Sequence, residues 1–316
     1  MKFKKPKFWD YKKPNLVSYF LLPLTIFIEI NNFLLNFKTN KIDNKIKSIC
    51  VGNIYLGGTG KTPTAISIYK IFKKLGLLPV VGKKYYEDQI DEITILKNKV
   101  EIIIDKNKTG ILEKAKHSGK GVVIFDDGLQ DKSVAYNLQI VCFDSDNLIG
   151  NNFLIPAGPL RERINKLSYY DCVILKGQNK SIPKFIKKIK KVNNKIKIFY
   201  TFLKIKNLNK FKKSKKYVIF SGIGNPQSFK DTLLKNKIKI IKYIIFPDHY
   251  NYNLRVIKNI KRIAIENNAG IITTEKDFVK LSRSDRKHID YLKVETKFKN
   301  EETFINYLKS KMYEKY

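Results

Sequence analysis

The sequence predicts an α/β protein. A mainly parallel sheet is covered by helices on both faces, a smaller α/β subdomain follows toward the C-terminus, and a membrane-associating helix lies near the N-terminus. Three observations carry this reading. From residue 46 to 176, short apolar runs alternate with segments of helical spacing, and strands this apolar need cover on both faces. Beyond a Lys-rich stretch at 178–215, strand, turn and helix signals begin again at "KYVIFSGIGNPQSF". Before residue 36, an apolar stretch follows a basic, aromatic leader.

Element by element, "IKSICVGN" is a strand that runs into a Gly-rich loop, and "TPTAISIYKIFKKLG" is a helix closing on Gly76. "LPVVGKK" and "VEIIID" are the next strands, "ILEKAKHSGK" a short helix, and "GVVIFDDG", "LQIVCFD" and "DCVILKG" three further strands. The 178–215 stretch shows little helical rhythm, and only "KIKIFYTFLKI" within it reads as a strand. Its lysine runs at 187–191 and 212–216 read as solvated faces. After them come "KYVIFS", a helix, "IKYIIFPDHYNY", a helix near 253–267 and "AGIITTEKDFVKL". The expected domains are therefore an N-terminal helix at 1–40, an α/β core at 41–205 and a smaller subdomain at 206–316.

Charge bounds the partners. With 63 Lys+Arg against 28 Asp+Glu, the chain carries a formal +35. It is attracted to any anionic surface, whether nucleic acid, anionic lipid or phosphorylated substrate. Lys, Asn and Ile abound throughout, as an AT-rich genome would produce, which weakens the functional meaning of the charge. Cys50, Cys142 and Cys172 each lie in or beside an apolar run without ligand spacing. They read as buried thiols rather than a disulfide framework or a zinc site.

"MKFKKPKFWDYKKPNLVSYFLLPLTIFI" resembles the start of a signal peptide, yet no small-residue cleavage site follows. Its uncharged stretch runs from Pro14 to Ile28, interrupted by Pro23 and ended by Glu29. That is shorter than the roughly 20 residues a spanning helix needs. Lysines in front and Phe8, Trp9 and Tyr11 at the boundary fit a helix lying in an anionic membrane surface.

The chemistry centres on "GNIYLGGTGKTPT". Gly60-Lys61-Thr62 matches the end of the phosphate-loop pattern, while Tyr55 stands where its first Gly would be. Glycines let backbone N–H groups curl round phosphate oxygens, and the following helix N-terminus favours anions. Gly57, Gly58, Thr59, Gly60, Lys61, Thr62 and Pro63 are thus the expected nucleotide-binding residues. Lys61 reaches the outer phosphates and the Thr62 hydroxyl reaches Mg²⁺. Asp126 and Asp127, at the end of a neighbouring apolar strand, are the expected acidic partners of that metal. The core is therefore expected to be P-loop NTPase-like, with ATP and Mg²⁺ as cofactors.

The loop, then "DDGLQD", "IPAGPLRER", "FSGIGNPQSF", "FPDHYNY" and "ITTEKDFVK", occur in the order of the tetraacyldisaccharide 4'-kinase family, the lipid A 4'-kinases, and residues 46–285 resemble it. The resemblance implies transfer of the ATP γ-phosphate to the 4'-hydroxyl of a tetraacyldisaccharide 1-phosphate. It implies an acylated disaccharide phosphate lipid as substrate, and work at the cytoplasmic face of the bacterial inner membrane. It also implies a base Asp paired with a His. "QIDEITIL" resembles the base stretch, giving Asp91 and Glu92, and "FPDHYNY" gives His249. The chemistry agrees, because a carboxylate can accept the proton of an attacking hydroxyl. His117 and His288 have polar surroundings and read as surface residues. Where the family carries Ser-Arg-Gly-Tyr-Gly, this chain has "GKKYY", keeping Tyr85 and a basic Lys83, and Asp131 replaces a family His.

"AGPLRER" holds Arg161 and Arg163 of only six arginines in the chain. A guanidinium offers phosphate oxygens a planar fork that Lys lacks, so Arg161 is expected on nucleotide or transition-state phosphate. The alternative for Arg161 is an ion pair with Glu162 or Asp171. Glu162 is expected at the metal. The expected catalytic set is Asp91, His249, Lys61 and Arg161, in a monomer with no specific nucleic-acid partner. The competing class is a nucleic-acid-stimulated P-loop ATPase, which would show steep salt dependence of DNA or RNA binding.

Overall fold

The computed structural model describes residues 5–36 and 46–313. Residues 1–4, 37–45 and 314–316, at the ends of the three expected domains, lie outside the described residues. In chain order the helices and strands are α1 (Leu16–Phe20), α2 (Thr25–Asn36), β1 (Lys47–Gly52), α3 (Lys61–Lys74), β2 (Pro79–Lys84), α4 (Ile90–Lys97), β3 (Ile102–Asp105) and α5 (Lys108–His117). Then come β4 (Val122–Asp126), β5 (Leu138–Asp144), β6 (Cys172–Lys176), α6 (Ile182–Val192), β7 (Lys197–Ile205), β8 (Lys216–Ser221) and α7 (Pro226–Lys235). The last are β9 (Lys239–Ile245), α8 (Leu254–Glu266), β10 (Ala269–Thr274), α9 (Glu275–Phe278), β11 (Ile289–Leu292), β12 (Val294–Phe298) and α10 (Glu301–Tyr313).

The chain divides into two units, and the division differs from a cut at residue 205. Tyr86–Asn98 joins Lys204–Glu295 in the smaller unit, while Thr296–Tyr316 belongs with the larger one. The N-terminal helices also belong to the larger unit.

In the larger unit an eight-stranded sheet runs β12-β7-β6-β5-β1-β4-β2-β3. β1 pairs in parallel with β4 on one side and β5 on the other. Strand order reverses there, and in open parallel sheets a ligand crevice forms at such a point, beyond the strand carboxyl ends. The loop after β1 occupies that position. Cys50, Val80, Val123, Phe125, Val141, Phe143 and Val173 share one core with the helices packed on it. The Lys-rich stretch holds a helix that its charge had obscured: α6 buries Ile182, Phe185 and Ile189 at spacings of three and four, with lysines between them facing outward.

In the smaller unit four parallel strands run β11-β10-β8-β9. Along β8, Tyr217 and Ile219 enter one core with Phe229 and Leu233 of α7, while Val218 and Phe220 enter another with Ile257 and Ile260 of α8. The period of two thus places a helix on each face.

Candidate active site

The phosphate loop forms because its residues tolerate an unusual path. Gly57 and Gly60 have φ of 143° and 90°, a region side chains avoid, and Gly60 caps α3. Asn53 is fully buried beneath the loop. Its Nδ2 donates to the Tyr55 carbonyl at 2.5 Å and to Thr59 Oγ1 at 3.0 Å, and its Oδ1 accepts from Lys61 Nζ at 3.2 Å. Arg161 is brought alongside by its backbone N–H, which donates to the Ile54 carbonyl at 2.7 Å.

Two clusters meet there. Lys61 Nζ lies 3.0 Å from Asp127 Oδ2, and the Arg161 guanidinium lies 3.4 Å from both Asp127 oxygens. Burial alone would raise the Asp127 pKa, but the charges of Lys61 and Arg161 outweigh it and hold the carboxyl far below the usual range. In the second cluster Thr62 Oγ1 donates to Asp126 Oδ2 at 2.8 Å, and buried Lys83 Nζ reaches the same oxygen at 3.1 Å.

Of the four expected metal residues, Thr62 and Asp126 are in direct contact. Asp127 is engaged by the two cations just named, and Glu162 is 4% exposed. Glu162 Oε2 accepts from Tyr170 Oη at 2.6 Å and from Gln130 Nε2 at 3.0 Å. Two neutral donors thus share one oxygen of this buried carboxylate. Among the described residues no group of three or more His, Cys, Asp or Glu is arranged to hold a metal ion. Thr62 and Asp126 still suit Mg²⁺. They are hard oxygen donors, and Mg²⁺ commonly uses one or two carboxylates beside phosphate and water.

In the smaller unit Asp91, in the first turn of α4, is 7% exposed and lies 3.0 Å from His249 Nδ1. His249 follows β9 in a left-handed turn with φ 55°. Lys276 Nζ sits 3.0 Å from His249 Nε2. An ammonium can only donate, so Nε2 is the acceptor and Nδ1 carries the proton that it donates to Asp91 Oδ1. Lys276 also pairs with Asp248 at 3.0 Å and with Glu92 at 3.5 Å. Lys280 Nζ lies 3.4 Å from Asp91 Oδ2, which accepts no hydrogen bond among the described residues. Burial would raise the Asp91 pKa, but the His249 hydrogen bond and the two lysines bring it down to about 2.

Sequence reasoning assigned no role to Lys276, Lys280, Gln130 or Lys83. The signal for the first two lay in "TTEKDFVK", whose lysines stand four apart. His117 and His288 are exposed, as expected, and all three cysteines are buried and free.

Comparison with known proteins agrees on one family. The family model "Tetraacyldisaccharide-1-P 4'-kinase" matches residues 17–313. A tetraacyldisaccharide 4'-kinase of Pelagibacter ubique is 41% identical over 308 residues, covering 98% of each chain. The corresponding protein of Rickettsia bellii is 36% identical over 297 residues, covering 88% of this chain and 90% of that one. The structure of LpxK from Aquifex aeolicus, described as an "apo" form in complex with ATP, superimposes with a TM-score of 0.70 at 21% identity, over 94% of this chain and 100% of that one. The chain belongs to the tetraacyldisaccharide-1-P 4'-kinase family.

Proposed function

We propose that this chain transfers the γ-phosphate of ATP to the 4'-hydroxyl of a tetraacyldisaccharide 1-phosphate. The observation that carries the reading is the phosphate loop, with Lys61 and Arg161 both drawn to Asp127 beside it. Two cations held on one carboxylate are positioned before any phosphate arrives. When phosphate oxygens replace Asp127 as their partner, the cations need little reorganisation, and such preorganised charge is a large source of catalysis. The glycines at 57, 58 and 60 leave room for phosphate oxygens to approach the backbone of the loop, and Pro63 fits the first turn of α3, where its missing N–H costs nothing. Thr62 and Asp126 would hold Mg²⁺, which when bound neutralises developing phosphate charge. In the smaller unit Asp91 accepts the proton of the acceptor hydroxyl at Oδ2, which is ion-paired with Lys280 but accepts no hydrogen bond among the described residues, and His249 holds the other oxygen.

Incubation with γ-labelled ATP and tetraacyldisaccharide 1-phosphate tests this directly. A labelled bisphosphorylated lipid is expected. Label released only as inorganic phosphate would overturn the reading in favour of a nucleotide hydrolase.

The Mg²⁺ assignment makes its own prediction. Asp126→Ala should move the Mg²⁺ midpoint of the kinase reaction upward by about tenfold or more. Metal titrations that superimpose on wild type would give Asp126 a structural role with Thr62 and Lys83 in place of the metal.

The acceptor is amphiphilic, with each buried CH₂ favouring the bilayer by about 0.8 kcal/mol, so the enzyme must work at a membrane. We propose peripheral attachment at the cytoplasmic face of the inner membrane, through an anionic surface, by a monomer with no nucleic-acid partner. Supporting this, Leu16 (87%), Phe20 (83%) and Phe27 (67%) expose large apolar side chains along α1 and α2. No helix among the described residues is long and apolar enough to cross a membrane. Leu16→Glu/Phe20→Glu should reduce flotation with vesicles containing anionic lipid. Flotation equal to wild type would assign membrane binding to the general positive charge.

A further inference from the structure

The N-terminal segment does more than present an apolar surface. Trp9 is 1% exposed, and its Nε1 donates to the Pro156 carbonyl at 2.9 Å. The Trp9 carbonyl accepts from the Asn151 N–H at 3.0 Å. Asn151 Nδ2 reaches Ser18 Oγ and the Ala157 carbonyl, each at 2.9 Å. Gly150 is required here, since a Cβ on it would stand 2.1 Å from the Trp9 carbonyl oxygen. Asp10 accepts a hydrogen bond from the hydroxyl of Tyr55, inside the phosphate-loop sequence. The segment is thus docked on the stretch 150–161 that backs the loop, where the Leu56 N–H donates to the Pro159 carbonyl at 2.8 Å.

Helix α2 completes the docking through two residues. It is strongly apolar, and two of its polar side chains, Glu29 and Asn32, lie three apart and therefore on one face. Glu29 accepts from Arg163 Nε at 2.5 Å. Asn32 Nδ2 donates to the backbone carbonyl of Arg161 at 2.9 Å. The peptide of Arg161 is held on its other side by its own N–H on Ile54. From that clamped backbone the guanidinium extends to Asp127.

We infer that Asn32 is a positioning residue for Arg161, so that the helix offering the membrane surface also aims a phosphate-binding cation. This rests on the reading of Arg161 as a phosphate ligand. Removing Asn32 frees one end of the Arg161 peptide and lets the guanidinium sample more positions, which lowers the fraction of complexes with correct geometry.

The test is a cycle of wild type, Asn32→Ala, Arg161→Ala and the double variant, assayed for kcat and KM on detergent-dispersed acceptor. Asn32→Ala should lower kcat by roughly three- to tenfold, the scale of one hydrogen bond. In the Arg161→Ala background the same change should cost nothing further. Trp9 is the one tryptophan in the chain, and its emission and quenching report whether the segment stays docked. Unchanged emission in Asn32→Ala is expected. Quencher-accessible Trp9 would overturn the inference, because Asn32 would then hold the segment rather than aim Arg161. A silent Asn32→Ala, or losses that multiply in the double variant, would also overturn it while leaving the phosphate role of Arg161 intact. An Arg161→Ala enzyme with wild-type kinetics would remove that role itself, and the inference with it.

Discussion

Lys61→Ala should lower kinase turnover by at least about 10²-fold, equivalent to about 2.7 kcal/mol of transition-state stabilisation. The loss should fall mainly on kcat. Lys61 Nζ is already held by Asn53 Oδ1 at 3.2 Å and Asp127 at 3.0 Å, so its position is set in advance of substrate. Its charge matters most when negative charge builds on the transferring group. Removing it also takes from Asp127 the largest of the contributions that lower its pKa, so that pKa should rise from its depressed position. The fold should survive, because Lys61 heads α3 with a partly exposed side chain and contributes no apolar core. Lys61→Arg keeps the charge but replaces a compact ammonium with a wider fork, and should recover only part of the rate. Steady-state kinetics beside circular dichroism decide the matter. Near-normal turnover in a folded Lys61→Ala enzyme would falsify the phosphate-loop assignment.

The parts of the molecule legible in the sequence are those where one physical rule acts locally. β1, the loop and α3 follow from an apolar run, clustered glycines and helical spacing, all within residues 47–74. Asp126 could be matched to Thr62 because a metal-binding loop demands an acid at a neighbouring strand end. Composition hid much of the rest. With 63 basic residues, no single lysine stands out, so Lys83, Lys276 and Lys280 could not be told from solvated charge until folding set them against carboxylates. The same lysines masked α6, although Ile182, Phe185 and Ile189 carried the helical spacing. β11 and β12, "IDYL" and "VETKF", are short and half polar, and β11 gains its strand character from pairing with β10. The surroundings of Glu162 were equally hidden, because its partners lie apart from it in sequence. Only the fold brings Tyr170 and Gln130 onto it. Asp91 and His249 are 158 residues apart, and no periodicity joins such a pair. Resemblance to a family placed them together in advance, and their hydrogen bond is a property of the tertiary structure.

That hydrogen bond sets the last expected result: Asp91→Ala/His249→Ala should be little worse than Asp91→Ala alone. Positioned general bases contribute about 10²- to 10⁴-fold, and Asp91→Ala should lose an amount in that range. His249→Ala should lose less, because its imidazole acts through the carboxylate. Lys276 fixes Nε2 as acceptor, Nδ1–H then holds Asp91 Oδ1, and Oδ2, beside Lys280 but without a hydrogen bond among the described residues, takes the proton. Once the carboxylate is gone, there is nothing for the imidazole to orient, so its removal adds little. The sign of the pKa effect gives a second check. His249 provides the largest of the contributions that lower the Asp91 pKa to about 2, so His249→Ala should raise it toward the ordinary carboxylate range. In wild type Asp91 stays ionised from pH 5 to 8, and any fall of kcat/KM across that interval belongs to another group. In His249→Ala the Asp91 carboxyl should titrate closer to pH 4, which NMR of a labelled carboxyl carbon would read without turnover. Losses that multiply in the double variant, with an Asp91 titration unmoved by removal of His249, would mean that the two side chains act independently.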